Sequence, residues 1–280
     1  MIIFYNFFHN GDIYLNIPFL IYISKQLKTQ INFYVKTSTN LIDNTYINLL
    51  PINNLLSNLN ININYNNLLH TDIINIDKNI LINNWIHPYW KYNKDYKLNI
   101  DGYLDIYNNH IFPKIGVPNN YDIYNFIPNI IYPNIKENIN IDNNSVLICN
   151  GRCLSGQMPD FSMDELIIQL QKNFTVVTTH KSYINNVTSF EEIYPFDNNI
   201  SNLPIIYHYA KYFKYIIGKD SGLFQWCFNI NTIDTKYIYI KKDCINNREP
   251  PVSHIFKNIE YINFNSNNSI MFNHILDIIN

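Results

Sequence analysis

Val146-Leu147-Ile148-Cys149-Asn150-Gly151-Arg152-Cys153-Leu154-Ser155-Gly156-Gln157 runs from four apolar residues straight into a polar loop with two glycines. Just beyond it, Met163, Leu166, Ile167 and Leu170 recur at i, i+3, i+4 and i+7, and Ser162 with Glu165 reads as a Ser-x-x-Glu capping box. A buried strand, a glycine loop and an amphipathic helix in that order predict an α/β domain with a parallel sheet and right-handed crossovers. The alternation continues with a strand from Phe174 to Thr179, a helix around Ile205 to Phe213 and a strand from Tyr215 to Ile217. Ser221 is placed to cap a helix from Leu223 to about Asn229, Tyr237 to Ile240 is a further strand, and Met271, His274, Ile275 and Ile278 predict a carboxy-terminal helix.

The same pattern opens the chain. Ile2 to Phe8 reads as a buried strand leading into a polar loop and a helix, with Pro18 suited to the first helical turn and Leu20, Ile23 and Leu27 at helical spacing. Ile31 to Val35 and Asn79 to Ile82 are further strands, the latter ending in the aromatic loop Trp85-Ile86-His87-Pro88-Tyr89-Trp90. Residues 36 to 78 interleave Asn and Ile without a clean period and yield no firm element. Pro128, Pro133 and many asparagines between Ile127 and Asn144 read as an interdomain linker, which sets domains at 1–140 and 141–280.

Composition narrows the function. Hydrophobic residues make up 47% of the 280 and aromatics 15%, enough core for a globular chain despite the abundant asparagine. A net charge of -2 with no basic block leaves no electrostatic footprint for duplex nucleic acid or an anionic membrane. Cysteines at 149, 153, 227 and 244 form neither a Cys-x-x-Cys zinc pattern nor a dense disulfide framework. Met1 to Phe8 lacks the charged start and cleavage site of a signal peptide, and no apolar run approaches the roughly 20 residues of a membrane helix. The expectation is a soluble, cytoplasmic protein without an integral membrane segment.

Scarce residues mark the chemistry. Five of the seven glycines fall in the clusters His9-Asn10-Gly11-Asp12, Asn150 to Gln157, and Gly218-Lys219-Asp220-Ser221-Gly222, and Arg152 is one of only two arginines, the other being Arg248. Each cluster follows a predicted strand and precedes a predicted helix, which places all three at the carboxyl edges of parallel sheets, where α/β folds bind ligands. Two such edges facing across a cleft would set Asp12 opposite Arg152 and the Asp220-Ser221-Gly222 turn. Ser221 and Gly222 at a helix amino terminus, joined by Arg152, describe a clamp for a departing diphosphate. Ser221 is otherwise simply a helix cap, and the glycines simply tight turns.

Asp12 is either the carboxylate that takes a proton from a hydroxyl nucleophile or a charge that favours a helix start by about 0.3 to 1 kcal/mol. His9 is a second base or a structural imidazole. Trp85, His87, Tyr89 and Trp90 either stack on a sugar ring or pack in the core. The chain contains no Asp-x-Asp, His-Glu-x-x-His, P-loop or Gly-x-Gly-x-x-Gly motif, so a bound metal ion, a hydrolysed nucleotide triphosphate and a redox dinucleotide all lack their usual parts.

Phe7-Phe8-His9-Asn10-Gly11-Asp12 with Pro18, and Ile217-Gly218-Lys219-Asp220-Ser221-Gly222, resemble the Gly-Asp turn and the Asp-Ser/Thr-Gly turn of heptosyltransferase-like glycosyltransferases, glycosyltransferase family 9 and its relatives. The resemblance implies the GT-B fold, two Rossmann-like domains facing across a cleft, with the acceptor on the amino-terminal domain and a nucleotide sugar on the carboxy-terminal one. It implies metal-independent, inverting transfer to a hydroxyl acceptor, with Asp12 as general base and no resident cofactor. Donor contacts then fall to Arg152, Ser155, Gly156, Gln157, Asp220, Ser221 and Gly222, and acceptor contacts to His9, Gly11, Trp85 and His87. Gln225 stands where the family commonly has His, and Arg152, Ser155 and Gln157 replace a lysine-rich donor loop. A non-catalytic sugar-nucleotide or glycan-binding module and a GT-B-fold epimerase are the alternatives. Donor, acceptor and oligomeric state stay open.

Overall fold

Strand β1 (Ile2–Asn6) buries Ile3 and Phe4 completely and starts the first of two parallel sheets. A computed structural model of the chain describes residues 2–6, 10–36, 61–66, 80–85, 87–96, 100–121, 139, 141–153, 158–193, 203–242 and 256–279, with the backbone alone at 10–14, 35–36, 61–66, 80–81, 87, 100, 203–204 and 230. The chain divides into two units, the first Met1–Tyr132 with Asn198–Ser201 and Asn247–Val252, the second Pro133–Asp197 with Asn202–Asn246 and Ser253–Asn280.

In the first unit β1, β2 (Ile31–Lys36), β3 (Ile61–Asn66) and β4 (Ile80–Asn83) lie in the order β3-β2-β1-β4, every neighbouring pair parallel. β3 lies in the stretch left unassigned from sequence. Its Ile-Asn-Ile-Asn-Tyr-Asn has the period of two that a strand requires, but the surrounding Asn and Ile conceal where that period begins and ends.

Helix α1 (Asn10–Leu27) corrects the expected start: Pro18 sits inside it, and Gly11 and Asp12 belong to its first turn rather than to a loop before it. An interior proline costs about 3 kcal/mol through its missing N–H. Leu15, Ile17, Phe19, Leu20, Ile21 and Ile23 are all buried, and full burial contributes roughly 1.5–3 kcal/mol for each such side chain, so packing carries the helix through the proline.

Helix α2 (Ile100–Ile106) passes through a π-helical segment (Tyr107–Ile111) into α3 (Phe112–Ile115), an assembly that had no sequence assignment. Gly116 ends it in the left-handed region at φ 70°, donating its N–H to the Phe112 carbonyl. Tyr107 stacks on Phe19 of α1 at 4.1 Å between ring centroids, which fixes this assembly to the first helix.

The second unit contains β5 (Ser145–Cys149), α4 (Asp164–Leu170), β6 (Thr175–Thr178), β7 (Thr188–Ser189), α5 (Phe190–Ile193), α6 (Leu203–Tyr209), β8 (Tyr215–Lys219), α7 (Gly222–Gln225), β9 (Lys236–Lys241), β10 (Ile259–Asn263) and α8 (Asn268–Ile279). Its sheet is parallel throughout, in the order β10-β9-β8-β5-β6-β7. Met163, Leu166, Ile167 and Leu170 are all buried against this sheet, as their spacing predicts.

The capping box does not form. The Ser162 hydroxyl accepts from the Asp164 N–H, and the Glu165 carboxylate accepts from the Ser269 hydroxyl of α8 instead of from the chain before α4. In α8 the buried residues are Met271, Phe272, Ile275 and Ile279, and His274 is exposed, so the expected apolar stripe is rotated by about one position.

Gly218 belongs to β8 rather than to a loop, and its glycine has a packing reason. A Cβ there would overlap the Phe224 ring, which Phe228, Tyr237 and Tyr239 hold from three sides. Gly218→Ala is therefore expected to destabilise the second unit by about 1–3 kcal/mol, the usual cost of overpacking, and to lower its thermal unfolding midpoint. An unchanged midpoint would contradict this packing.

Candidate functional site

Because all strands of the second sheet run the same way, the segments after β5, β6 and β8 leave it along one edge, and these three strands are neighbours in the order β8-β5-β6. Asn150, the first residue past β5, ties two of the exits together. Its side-chain oxygen accepts from the His180 N–H at 2.9 Å and the Thr179 hydroxyl at 3.2 Å, while its Nδ2 donates to the His180 carbonyl at 3.1 Å. The His180 ring lies 3.1 Å from the Thr179 hydroxyl through Nδ1 and leaves no room for a Cβ on Gly151. Gly151 thus meets an imidazole, which explains one glycine of the second cluster without a ligand.

The next residue, Arg152, is 70% exposed and pairs through Nε with Asp160 at 3.3 Å. The other oxygen of the same carboxylate lies 3.5 Å from the ammonium of Lys219, the last residue of β8, whose side chain is only 1% exposed. Lys219 also donates to the Phe161 carbonyl at 3.0 Å and sits over the Phe161 ring. Burial pulls the Lys219 pKa down, and Asp160 offsets part of that fall. Burial also lowers the His180 pKa; Glu191 opposes that shift and the Lys219 charge adds to it. One exposed carboxylate therefore bridges two cations at the carboxyl edge of the sheet. The Arg152 arm is exposed and worth about 0–1 kcal/mol, whereas the Lys219 arm supplies the counterion of a buried ammonium.

The third cluster is more structural than its sequence implied. The Asp220 carboxylate is buried and accepts from the Tyr239 hydroxyl at 2.6 Å, and the Asp220 carbonyl accepts from the Cys153 thiol at 3.0 Å. Ser221 caps α7, its hydroxyl accepting from the Phe224 N–H at 3.3 Å, and Gly222 is the first residue of that helix. Arg152, Asp220, Ser221 and Gly222 thus all lie at the exits of the adjacent strands β5 and β8. Ser155, Gly156, Gln157 and Arg248 lie outside the described residues.

Among the first-unit candidates, Asp12 and Gly11 occupy the first turn of α1, after β1, and His9 lies outside the described residues. Trp85 follows β4 half-buried, its backbone N–H donating to Asn83 Oδ1 at 3.0 Å, and His87 opens a short 3-10 helix (His87–Lys91). Among the described residues no three His, Cys, Asp or Glu side chains converge to hold a metal ion, and no helix is long and apolar enough to cross a membrane.

Lys219, His180 and Asp160 were not singled out from sequence. Lys219 stood inside the quoted cluster Gly218 to Gly222 just past the predicted strand Tyr215 to Ile217, and His180 directly follows the predicted strand Phe174 to Thr179, so reading the charged residues after every predicted strand would have found both. Asp160 carries no local signal, since only the fold brings it between Arg152 and Lys219.

No protein-family model and no curated protein matches the chain. Solved structures do. ADP-heptose lipopolysaccharide heptosyltransferase II of E. coli matches with a TM-score of 0.52 and 12% identity over 99% of this chain and 97% of its own. A family 9 glycosyltransferase from Veillonella parvula matches with a TM-score of 0.52 and 12% identity over 99% of this chain and 88% of its own. The dodecameric iron-containing heptosyltransferase TibC of enterotoxigenic E. coli, in complex with ADP-D-beta-D-heptose, matches with a TM-score of 0.50 and 12% identity over 89% of this chain. This chain spans 59% of the length of TibC. The fold is GT-B, as the two sequence turns implied.

Proposed function

We propose that the chain is a glycosyltransferase that moves a sugar from a nucleotide-sugar donor to a hydroxyl acceptor, with inversion and without a metal ion. The observation that carries this reading is the Arg152–Asp160–Lys219 bridge at the carboxyl edge of the second sheet. Two cations meeting at one exposed carboxylate suit a diphosphate, and the fold is one used for transfer from ADP-heptose by the heptosyltransferases it resembles. Asp220, Ser221 and Gly222, with Ser155, Gly156 and Gln157, flank the donor; His9, Gly11, Trp85 and His87 belong to the acceptor side.

In the proposed reaction Asp12 takes the proton of the acceptor hydroxyl as its oxygen attacks the anomeric carbon. The bond from that carbon to the diphosphate oxygen breaks, and the nucleoside diphosphate leaves with the electron pair. A single displacement inverts the anomeric centre. Arg152 and Lys219 supply preorganised positive charge for the leaving group, the task a divalent cation performs in metal-dependent transferases. The sparse cysteines favour the cytoplasm as the site of action.

Incubating the full chain with a panel of ADP-, UDP- and GDP-sugars and saccharide acceptors, with and without exhaustive chelation, tests this. Release of nucleoside diphosphate at the same rate in both conditions is expected. An absolute requirement for manganese or magnesium, restored on re-addition, would overturn the metal-free part. Tight donor binding without turnover would make the chain a sugar-nucleotide-binding module instead.

A further inference from the structure

Two cysteines that the proposed transfer does not use meet inside the second unit. Cys149, the last residue of β5, and Cys227, just past α7, hold their sulfurs 3.7 Å apart although 78 residues separate them in the chain. Both are free thiols, 1% and 0% exposed. Cys149 lies in register with Gly218 of β8, and in-register neighbours of a parallel pair present their side chains to one face of the sheet. A side chain on Gly218 would meet Phe224, so this is the face that α7 covers. Glycine at 218 lets α7 lie close to the sheet, and Cys227 comes one turn after Phe224.

The backbone on each side of the contact is held. β5 is paired to both β6 and β8, and the Cys227 N–H donates to the Phe224 carbonyl at 3.1 Å. The Cys227 carbonyl accepts from the Tyr237 hydroxyl at 2.7 Å, the Thr232 hydroxyl at 3.0 Å and Asn229 Nδ2 at 3.2 Å. With both segments in place, only the last approach of the sulfurs to a bonded distance of about 2 Å is left. Burial pushes the Cys149 thiol well above its ordinary pKa, which keeps it protonated and slows its oxidation. Cys153, half-buried, directs its thiol to the Asp220 carbonyl instead.

We propose that Cys149 and Cys227 are a redox clasp, closed to a disulfide by hydrogen peroxide and reopened by a dithiol reductant. One sulfur attacks a peroxide oxygen, the O–O bond breaks, and a sulfenic acid and a water result. The second sulfur then attacks the sulfenic sulfur, the S–O bond breaks, and a second water leaves. Two electrons pass from the thiols to the peroxide, and both thiol protons depart in the waters. A small neutral oxidant suits a pair this deeply buried. Where thiols are kept reduced the clasp rests open, and it closes only under sustained peroxide. Once closed, it ties the exit of β5 to the segment after α7 and removes freedom from the unfolded chain across a long loop. The clasp needs neither nucleotide nor turnover, so it stands or falls apart from glycosyl transfer.

The full chain, reduced and then freed of reductant, is treated with hydrogen peroxide, blocked with N-ethylmaleimide in denaturant, digested and read by mass spectrometry. A peptide pair joining Cys149 to Cys227 is expected in chains of monomer mass, and dithiothreitol should abolish it. Thermal unfolding of the oxidised chain is expected at a midpoint about 5 °C or more above that of the reduced chain. Cys149→Ala and Cys227→Ala should each lose both the linked pair and the peroxide-dependent shift. Recovery of both cysteines as maleimide adducts or sulfinic acids would overturn the proposal. So would a bond to Cys153 or Cys244 in place of this one, or a link that leaves the midpoint unchanged.

Discussion

Asp12→Asn is expected to slow glycosyl transfer by about a hundredfold to ten-thousandfold, the usual contribution of a positioned general base, while nucleotide affinity stays unchanged. Asparagine keeps the size of the side chain and its ability to cap a helix, and removes the proton acceptor. The competing role for Asp12, a negative charge in the first turn of α1, contributes only about 0.3–1 kcal/mol to stability and nothing to a rate. The two roles therefore separate cleanly. Initial rates of nucleoside diphosphate release, measured beside thermal unfolding, decide between them. A variant as active as wild type but slightly less stable would make Asp12 a helix-terminal charge and send the search for a base elsewhere.

The second half of the fold was legible because its apolar runs are short and separated by scarce residues. Val146 to Cys149 had to be a buried strand, and the Met163, Leu166, Ile167 and Leu170 spacing had to be a helix. The first half was harder for a physical reason. Where Asn and Ile alternate over long stretches, a real strand such as β3 and its neighbourhood carry the same pattern, and only pairing with β2 selects the register. Helix α1 shows tertiary burial overriding a local signal, since its apolar residues continue the helix through Pro18. The missing capping box is the same lesson at smaller scale, because Ser269 from a distant helix takes the Glu165 carboxylate.

At the candidate site, the loops quoted from sequence leave β5 and β8 side by side, and some of their residues have packing roles. Gly151 and Gly218 each have a packing reason, since the His180 and Phe224 rings leave no room for a Cβ there. Scarcity identified Arg152, whereas its partners Asp160 and Lys219 became visible only when β5 and β8 lay side by side. Long-range electrostatics of this kind has no periodic signature in a chain.

Those partners also set the second large effect. Arg152→Ala is expected to weaken nucleoside diphosphate binding by about 1.5–3 kcal/mol, roughly tenfold to a hundredfold, through loss of a charge-assisted contact to an ionised group. Asp160→Asn has the opposite sign on binding. It frees both cations from the carboxylate that competes with the ligand, so affinity rises, while the buried Lys219 ammonium loses its counterion and the fold becomes less stable. Arg248→Ala, outside the three glycine clusters, is expected to leave affinity unchanged. Calorimetric titration of ADP, UDP and GDP into wild type, Arg152→Ala, Asp160→Asn and Arg248→Ala measures all of this at once. The account predicts weaker binding for Arg152→Ala, tighter binding for Asp160→Asn and no change for Arg248→Ala; equal affinities for wild type and Arg152→Ala would contradict a diphosphate site at this edge of the sheet.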